Sequence, residues 1–486
     1  MIRPLSRAPA SAPLRRSLAV ALVGLAAAAC APLPPLSQSQ ALKDPTQYAT
    51  RQAFDAAAAP WPTDRWWAAY GDAQLDALID EALRDAPDMA AAAARLAQAE
   101  AFGAVARSAL GPQVSASASV SEEKLSYNNI IAKEFTPKGW NDYGRVAVDL
   151  GWELDFWGKN RAALAAALSQ ADAARAEAAD VRRNIAAAVA ATYADFARLY
   201  VVRDTLVRAV DIRRKSVALF DERFRNQLET QGSLSEAQAR LAAVEGELLA
   251  LDEDIGLVRH RLAALVGAGP DRGRALARPQ VNLAQSFGLP TQLSLDLLGR
   301  RPDVVAARSV VEAQGQRIAQ AKAEFYPNVN LRAFIGVQSL GLDMLGKSGS
   351  DIGGIGPAVS LPIFTAGRLQ GNLRAVSAGY DQAVASYNRT VTQALNEVAD
   401  ATLSHQALDA RLGKAREAVD AAARSHQVAT NRYAGGLATY LEVLYAEDGL
   451  LNAQRTLATL QSRAFSLDVS LKRALGGGYQ VLASQQ

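Results

Sequence analysis

The chain is poor in cysteine and histidine, the commonest thiol and imidazole sources of nucleophiles and metal ligands. Its 486 residues include one cysteine and three histidines. A lone Cys30 allows no intrachain disulfide and no cysteine-based zinc site. His260, His405 and His426 fall in helical stretches without a ligand-rich neighbourhood, and read as surface or seam residues. No nucleophile elbow or triad spacing stands out. Gly267-Ala268-Gly269 and Gly476-Gly477-Gly478 follow helix ends as punctuation and do not open a helix as a phosphate loop would. The expectation is a chain with no catalysis, no metal and no cofactor. Half the residues are hydrophobic and 21% are charged, so the chain is neither disordered nor built from membrane-spanning helices.

A second shortage is of long apolar runs. The longest near the start, residues 17–29, is too short to span a bilayer; it follows Arg3, Arg7, Arg15 and Arg16 and ends in small residues before Cys30. That is the pattern of a secretory signal. Cleavage before Cys30 takes the formal charge from +3 to −1, which removes the main argument for a nucleic-acid partner. Ala27-Ala28-Ala29-Cys30 resembles a bacterial lipobox, with Ala27 where leucine is usual, which makes Cys30 the expected lipid attachment site. Ala31 in place of aspartate then implies the outer membrane as the destination.

Proline is absent from 138 to 269 and again after Pro362. These stretches are rich in Ala, Leu, Glu, Arg and Gln, which favour helix. Roughly 60 residues from Lys159 to Phe220 would span about 90 Å at 1.5 Å each. Leu241, Val244, Leu248, Leu251, Ile255, Val258, Leu262 and Leu265 recur at spacings of three and four, a coiled-coil-like seam. From Ala162 to Ala191 the seam is mostly alanine, so many such helices must pack side by side.

The pattern occurs twice. Pro87-Asp88, Pro112 and Val114 recur 215 residues later as Pro302-Asp303, Pro327 and Val329; Gly158, Arg223, Leu228 and Gly267 recur 209 later as Gly367, Arg432, Leu437 and Gly476. Shared Gly, Pro and Arg positions at fixed spacing indicate a duplication. Each half reads helix, two short strands, then two long helices.

The strands alternate with period two. Val146, Val148, Leu150, Trp152, Leu154 and Phe156 fall on one face against Arg145, Asp149, Glu153 and Asp155; Val114, Ala116, Ala118 and Val120 alternate with serines. In the second half Val329, Leu331, Ala333, Ile335 and Val337 alternate, then Ile355, Pro357, Val359, Leu361 and Ile363. On alternation alone a small soluble sheet is the commoner case. Trp140, Tyr143, Trp152, Trp157, Phe325, Tyr326 and Phe364 cluster near the strand ends as an aromatic girdle would, and no other segment covers the apolar face. An open edge is intolerable in lipid, and four strands cannot close a barrel. Three chains would supply twelve. The expected fold is therefore α+β and predominantly helical, a trimeric β-barrel continuous with a long α-helical coiled-coil barrel. Its lipid-facing residues would be Val146, Val148, Leu150, Trp152, Leu154, Val329, Leu331, Val359 and Leu361, and the loops 127–142 and 339–354 would face outside.

Four stretches resemble the outer membrane factors of tripartite efflux systems, the TolC-like family and its NodT-type lipoprotein branch. They are Trp66-Trp67 with Asp72-Ala73-Gln74-Leu75 and Leu78-Ile79; Trp152-Glu153-Leu154-Asp155-Phe156-Trp157-Gly158-Lys159; Leu298-Gly299-Arg300-Arg301-Pro302-Asp303; and Leu361-Pro362-Ile363-Phe364-Thr365-Ala366-Gly367-Arg368. The resemblance covers nearly the whole mature chain. It implies a homotrimer in the outer membrane with its helical barrel in the periplasm, a periplasmic adaptor (membrane fusion) protein, and an inner-membrane transporter of the resistance-nodulation-division type. The implied layout is a signal at 1–29, a lipid-anchored linker with a first equatorial helix at 30–86, one repeat at 87–267, an equatorial connector at 268–301, a second repeat at 302–476 and a tail at 477–486. The implied function is a passive exit duct for drugs and toxic small molecules. A secretion channel for protein or oligosaccharide would share the fold, and a trimeric coiled-coil surface lipoprotein is a more distant alternative.

The same resemblance makes the turns near Arg223 to Gly232 and Arg432 to Tyr440 the periplasmic tips. Arg223, Gly232, Arg432, Gly435 and Gly436 are the residues expected to dock the adaptor. Relatives carry an apolar residue followed by aspartate in the second turn; here Leu437 matches but Ala438 stands where the acid is expected. The repeat puts Leu228 and Glu229 at the corresponding positions. The expected gate is an apolar constriction from Leu228 and Leu437, with Glu229 as its acidic element.

Overall fold

A computed structural model of the chain describes residues 41–43, 47–50, 52–54, 56–128, 133–281, 288–290 and 293–480. Cys30 and the segment expected to be a secretory signal lie outside the described residues.

The helices repeat in length as the sequence repeats. After α1 (Ala73–Asp85) come α2 (Pro87–Ser108), strands β1 (Gln113–Glu123) and β2 (Asn141–Glu153), and two long helices, α3 (Lys159–Arg225) and α4 (Gln231–Leu265). The short α5 (Asp271–Arg274) and α6 (Leu293–Arg300) lead to the second set: α7 (Pro302–Ala323), β3 (Asn328–Leu340), β4 (Asp351–Ser360), α8 (Arg368–Ala434) and α9 (Tyr440–Ala474). α2 and α7 both have 22 residues, α3 and α8 both 67, α4 and α9 both 35. Pro87 and Pro302 each sit at the first helical position, where a missing N–H costs no hydrogen bond.

The chain divides into two compact units that cut across the repeats. Among the described residues, one is built from Ala97–Asp172 and Ser309–Ala385 and the other from Leu42–Leu96, Ala173–Arg308 and the chain from Ser386 onward. The first holds a single antiparallel sheet in the order β1-β2-β3-β4. Its central ladder joins the halves, with Tyr143 to Glu153 facing Leu340 to Asn330. Beside the sheet, Phe325 packs with Ala321, Leu369 and Leu373. Phe325 is 2% exposed, so this member of the expected girdle belongs to the core instead.

Strand limits also differ from the alternation. β2 begins at Asn141 and ends at Glu153, and β4 ends at Ser360, so Leu154 and Leu361 lie just past their strands. Leu154 makes a last bond to Val329 (2.8 Å) before Asp155 turns to accept the backbone N–H of Arg161 (2.8 Å). Leu361 precedes Pro362, whose ring nitrogen cannot donate to a ladder. At the other end β3 and β4 extend into the expected 339–354 loop, leaving residues 341–350 between them.

The second unit has the larger apolar core. On α1, Leu75, Leu78, Ile79 and Ala82 are fully buried at helical spacing, and Trp66, Trp67 and Tyr70 precede them. Asp72 caps α1 by accepting from the backbone N–H of Gln74 (2.9 Å); its other oxygen accepts from Tyr193 Oη (2.8 Å) and the backbone of Gln280 (2.7 Å). One buried carboxylate thus fixes a cap, a long helix and a connector. The glycines that end α4 and α9 have packing roles too. A Cβ at Gly267 would stand 2.8 Å from the carbonyl of Asp85, and one at Gly476 would stand 1.9 Å from that of Arg300, the same contact in each repeat.

Arg301, from the Gly299-Arg300-Arg301-Pro302-Asp303 stretch, is 1% exposed. It grips Asp303 through Nε (3.0 Å) and Nη2 (2.5 Å), and its Nη1 donates to Glu397 (2.8 Å) and the carbonyl of Ala474 (3.1 Å). Arg183 adds contacts to Asp180 (2.5 Å) and Asp303 (3.5 Å). Burial works to raise Asp303, but the hydrogen bonds from Arg301 and the charge of Arg183 hold its carboxyl below the ordinary range. A buried pair of this kind is costly to break, because either partner left alone is a desolvated charge.

Candidate functional site

Two surfaces carry the expected site residues, one in each unit. The first is the sheet. The registers place Val114, Ala116 and Ala118 on β1 beside Leu150, Val148 and Val146 on β2, which in turn face Ala333, Ile335 and Val337 on β3. Val329 meets Val359, Leu331 meets Pro357 and Ala333 meets Ile355 on β4. Trp152 faces Leu331 on the same side. One face of all four strands is therefore apolar, and Val114, Val146, Val148, Trp152, Ile335, Ile355 and Val359 on it are exposed. The opposite face carries Ser115, Ser117, Ser119, Arg145, Asp149, Asn330, Arg332 and Gln338.

Aromatic residues near the helical end of the sheet have their polar atoms tied. Trp152 Nε1 donates to the carbonyl of Leu110 (2.9 Å), and Trp157 Nε1 to that of Pro327 (2.8 Å). Trp157 stacks on Tyr326 with ring centroids 4.8 Å apart. Phe364 at this end, and Trp140 and Phe135 at the other, are strongly exposed. The indole rings of Trp140, Trp152 and Trp157, apolar with one N–H each, suit a boundary between hydrocarbon and water.

The second surface is a pair of helical turns built alike. α3 ends with Leu228 N–H bonded to Arg223 O (2.8 Å) and Gln227 N–H to Phe224 O (2.9 Å); α8 ends with Leu437 N–H to Arg432 O (2.8 Å) and Gly436 N–H to Tyr433 O (3.0 Å). Both are Schellman closures, which need one left-handed residue. Gly436 supplies it at φ 72, whereas Gln227 adopts φ 61. Thr230 and Thr439 then cap α4 and α9, the latter through a capping box with Glu442. The turns thrust Leu228 and Leu437 into the open, 64% and 74% exposed. Gly435 and Gly436 are exposed, Ala438 is half-buried, and Gly232 lies in the first turn of α4.

Glu229 is held inward. Its Oε1 accepts from Tyr433 Oη at 3.1 Å and lies 4.0 Å from Arg223 Nε, while the Arg223 guanidinium stands 4.9 Å over the Tyr433 ring. Burial and the bond to Glu229 push the Tyr433 hydroxyl up to about 12. Arg223, Glu229 and Tyr433 thus join the first turn to the end of α8. Arg432 serves its own turn, reaching Glu442 (3.2 Å) and the carbonyl of Leu437 (3.2 Å). Behind them Phe220, Tyr433 and Tyr440 form an aromatic core, with Phe220 and Tyr440 at 4.0 Å.

Sequence reasoning missed Tyr433 and a buried ion pair higher in the same helices. Arg213 Nη1 stands 3.2 Å from Glu447 Oε2. Glu447 had a signal: it interrupts the buried stripe Tyr440, Val443, Leu444, Leu450 and Leu451 at helical spacing. Among the described residues no three of His, Cys, Asp and Glu gather as a metal-binding group. α3 is the one described helix long and apolar enough to cross a membrane; half of that apolar window is buried within the protein, as in a core helix.

Comparison with known proteins agrees with this geometry. The family model described as outer membrane efflux protein matches residues 78–268 and 293–477. The multidrug resistance outer membrane protein MdtP of Escherichia coli is 31% identical over 90% of this chain and 91% of its own. The crystal structure of the outer membrane protein VceC of Vibrio cholerae superposes with a TM-score of 0.82 at 48% identity, covering 86% of this chain and all of that one. The CmeC outer membrane channel of Campylobacter jejuni shares the fold at 23% identity, with a TM-score of 0.82 over 93% of this chain and 96% of that one. Duplicated helices, a sheet with one apolar face and matches over both repeats lead to one conclusion: the chain belongs to the outer membrane efflux protein family and acts as an efflux channel of the outer membrane.

Proposed function

We propose that three copies of the chain close their sheets into one twelve-stranded barrel and serve as the passive exit duct of a tripartite drug-efflux pump. The apolar sheet face carries this reading. Among the described residues β1 and β4 each pair on one side only, and the exposed valines and isoleucines lie where no element of the same unit covers them. In hydrocarbon such a face is stable and such edges are not, so closure with further copies satisfies both. Val146, Val148, Leu150, Trp152, Val329, Leu331 and Val359 then face lipid.

The paired turns are the periplasmic end. Leu228 and Leu437, exposed on matched closures, form the apolar constriction, and dewetting of such a ring stops ion flow. Glu229, 4.0 Å from Arg223 and bound by Tyr433, acts less as a bare acidic ring than as the tie between the two turns. The surroundings of Gly232, Arg432, Gly435 and Gly436 receive a periplasmic adaptor, which connects the duct to an inner-membrane transporter of the resistance-nodulation-division type. The substrates are drugs and toxic small molecules.

Mass measurement in mild detergent, followed by planar-bilayer recording, tests the reading. A trimer that conducts supports it, with Leu228→Ser and Leu437→Ser raising the open fraction. A monomer that stays soluble without detergent overturns barrel, trimer and duct together. Unchanged conductance and selectivity in Glu229→Ala would remove Glu229 from the gate.

A further inference from the structure

The polar face of the sheet is bare at its centre. Ala147, Gly336 and Gly354 lie there in neighbouring strands: a Cβ at Gly336 would stand 2.2 Å from the carbonyl oxygen of Val146, so the backbone requires glycine there, and one at Gly354 would stand 2.8 Å from Cε1 of Phe334. The Phe334 ring therefore lies across Gly354 and fills the space that a side chain there would need. Its position also breaks the pattern of β3, whose other residues on this face are Asn328, Asn330, Arg332, Gly336, Gln338 and the terminal Leu340. The ring stays 38% exposed. The guanidinium carbon of Arg145 stands 5.5 Å from its centroid, and Arg145 Nη1 makes a long bond to Gln338 Oε1 (3.4 Å).

The charges around the ring favour an anion. Arg145 and Arg332 share the face with Asp149, which lies opposite Phe334 and accepts the hydroxyl of Ser117 at 3.2 Å. Glu153 is paired with Lys159 at 2.6 Å. Two guanidinium groups thus stand against the Asp149 carboxylate. An open aromatic face beside a guanidinium offers stacking and charge-assisted hydrogen bonds together, which a planar aromatic carboxylate can use at once.

We propose that Arg145 and Phe334 form a shelf on the channel wall that transiently binds planar aromatic anions, one shelf per subunit. This rests on the reading of the sheet as the wall of a trimeric barrel with its polar face inward. A weak site of this kind suits a duct, because a permeating solute must enter favourably and still leave.

The test is single-channel recording of the full-length protein with 2-naphthoate or cyclohexanecarboxylate in the bath. The expected result is that 2-naphthoate reduces the current at lower concentration, and that Phe334→Leu and Arg145→Gln each weaken its effect about two- to tenfold, the size of one lost aromatic or charge-assisted contact. The parent comparison of the two acids needs no variant. Equal block by both, or block by 2-naphthoate that survives both substitutions, overturns the shelf while leaving the channel reading intact. A parent that opens no channels overturns that reading and the shelf with it.

Discussion

Arg213 on α3 and Glu447 on α9 face each other at 3.2 Å with 2% and 1% of their surfaces exposed, yet among the described residues neither carboxylate oxygen of Glu447 finds a hydrogen-bond donor. Arg213 also bonds Asp448, which is bridged in turn to Arg240 of α4 (2.7 Å). Arg213 therefore divides its charge between two carboxylates, and Glu447 receives the poorer geometry.

Burial pushes the Glu447 carboxyl up from its ordinary 4.5 to about 7, against the opposing pull of Arg213. Between those values the unfolded chain releases a proton that the fold retains, so stability falls as pH rises through this window and is flat above it. Burial and the nearby charge of Arg213 both lower the His426 imidazole from its ordinary value. Glu447→Gln should flatten the dependence and stabilise the protein at pH 8 by about 1–3 kcal/mol. Thermal unfolding in detergent from pH 5 to pH 8 measures this; an unchanged slope would place its origin elsewhere.

The two turns make a matched backbone experiment. Gln227 and Gly436 occupy the same left-handed position, at φ 61 and φ 72, and nothing lies within 4 Å of a Cβ on Gly436. Gln227→Gly should stabilise its turn, and Gly436→Ala should destabilise its own, each by about 1 kcal/mol. Amide exchange at Leu228 and Leu437 reports the two effects with opposite sign.

Arg301→Ala leaves the half-buried Asp303 and Glu397 without their main counter-charge. The expected loss is about 3–5 kcal/mol, seen as a lower yield of folded protein and a lower melting temperature. Arg301→Lys should rescue little, since an ammonium cannot reproduce the two-pronged grip on Asp303.

Opposite faces of β3 should respond differently to charge. Ile335→Arg, on the apolar face, should lower stability in lipid by about 2–4 kcal/mol. Asn330→Arg, on the polar face, should cost well under 1 kcal/mol. Folding into liposomes from urea distinguishes them, and equal costs would argue against lipid on the apolar side.

Much of this was legible in the chain because the signals are periodic. Alternation at Val146, Val148 and Leu150 and at Val329 through Val337 assigned the sheet faces, and the fixed spacing of Arg223 to Arg432 and of Gly267 to Gly476 placed the turns and helix ends. Where periodicity says nothing, the reading fell short. Leu154 and Leu361 continue the alternation past the point where Asp155 and Pro362 end the ladder. Phe325 is aromatic and near a strand, yet it turns into the core, because a girdle assignment by composition carries no direction. Glu229 reads as the acidic element of a gate, and only the fold brings Tyr433, 204 positions away, to its carboxylate. Glu447 sat in plain view as a charge on an apolar stripe.

The ladder between β2 and β3 has a consequence for how the protein is made. Glu153 pairs with Asn330, 177 positions later, so one edge of β2 waits for its partner until α3, α4 and the connector have emerged. A strand left open for so long is a template for wrong pairing, and contacts of such sequence separation form slowly. Biogenesis thus depends on keeping the first hairpin unpaired but soluble through the export of more than a third of the chain. Mutations that speed aggregation of the waiting hairpin would then lower the number of assembled channels rather than the conductance of each one.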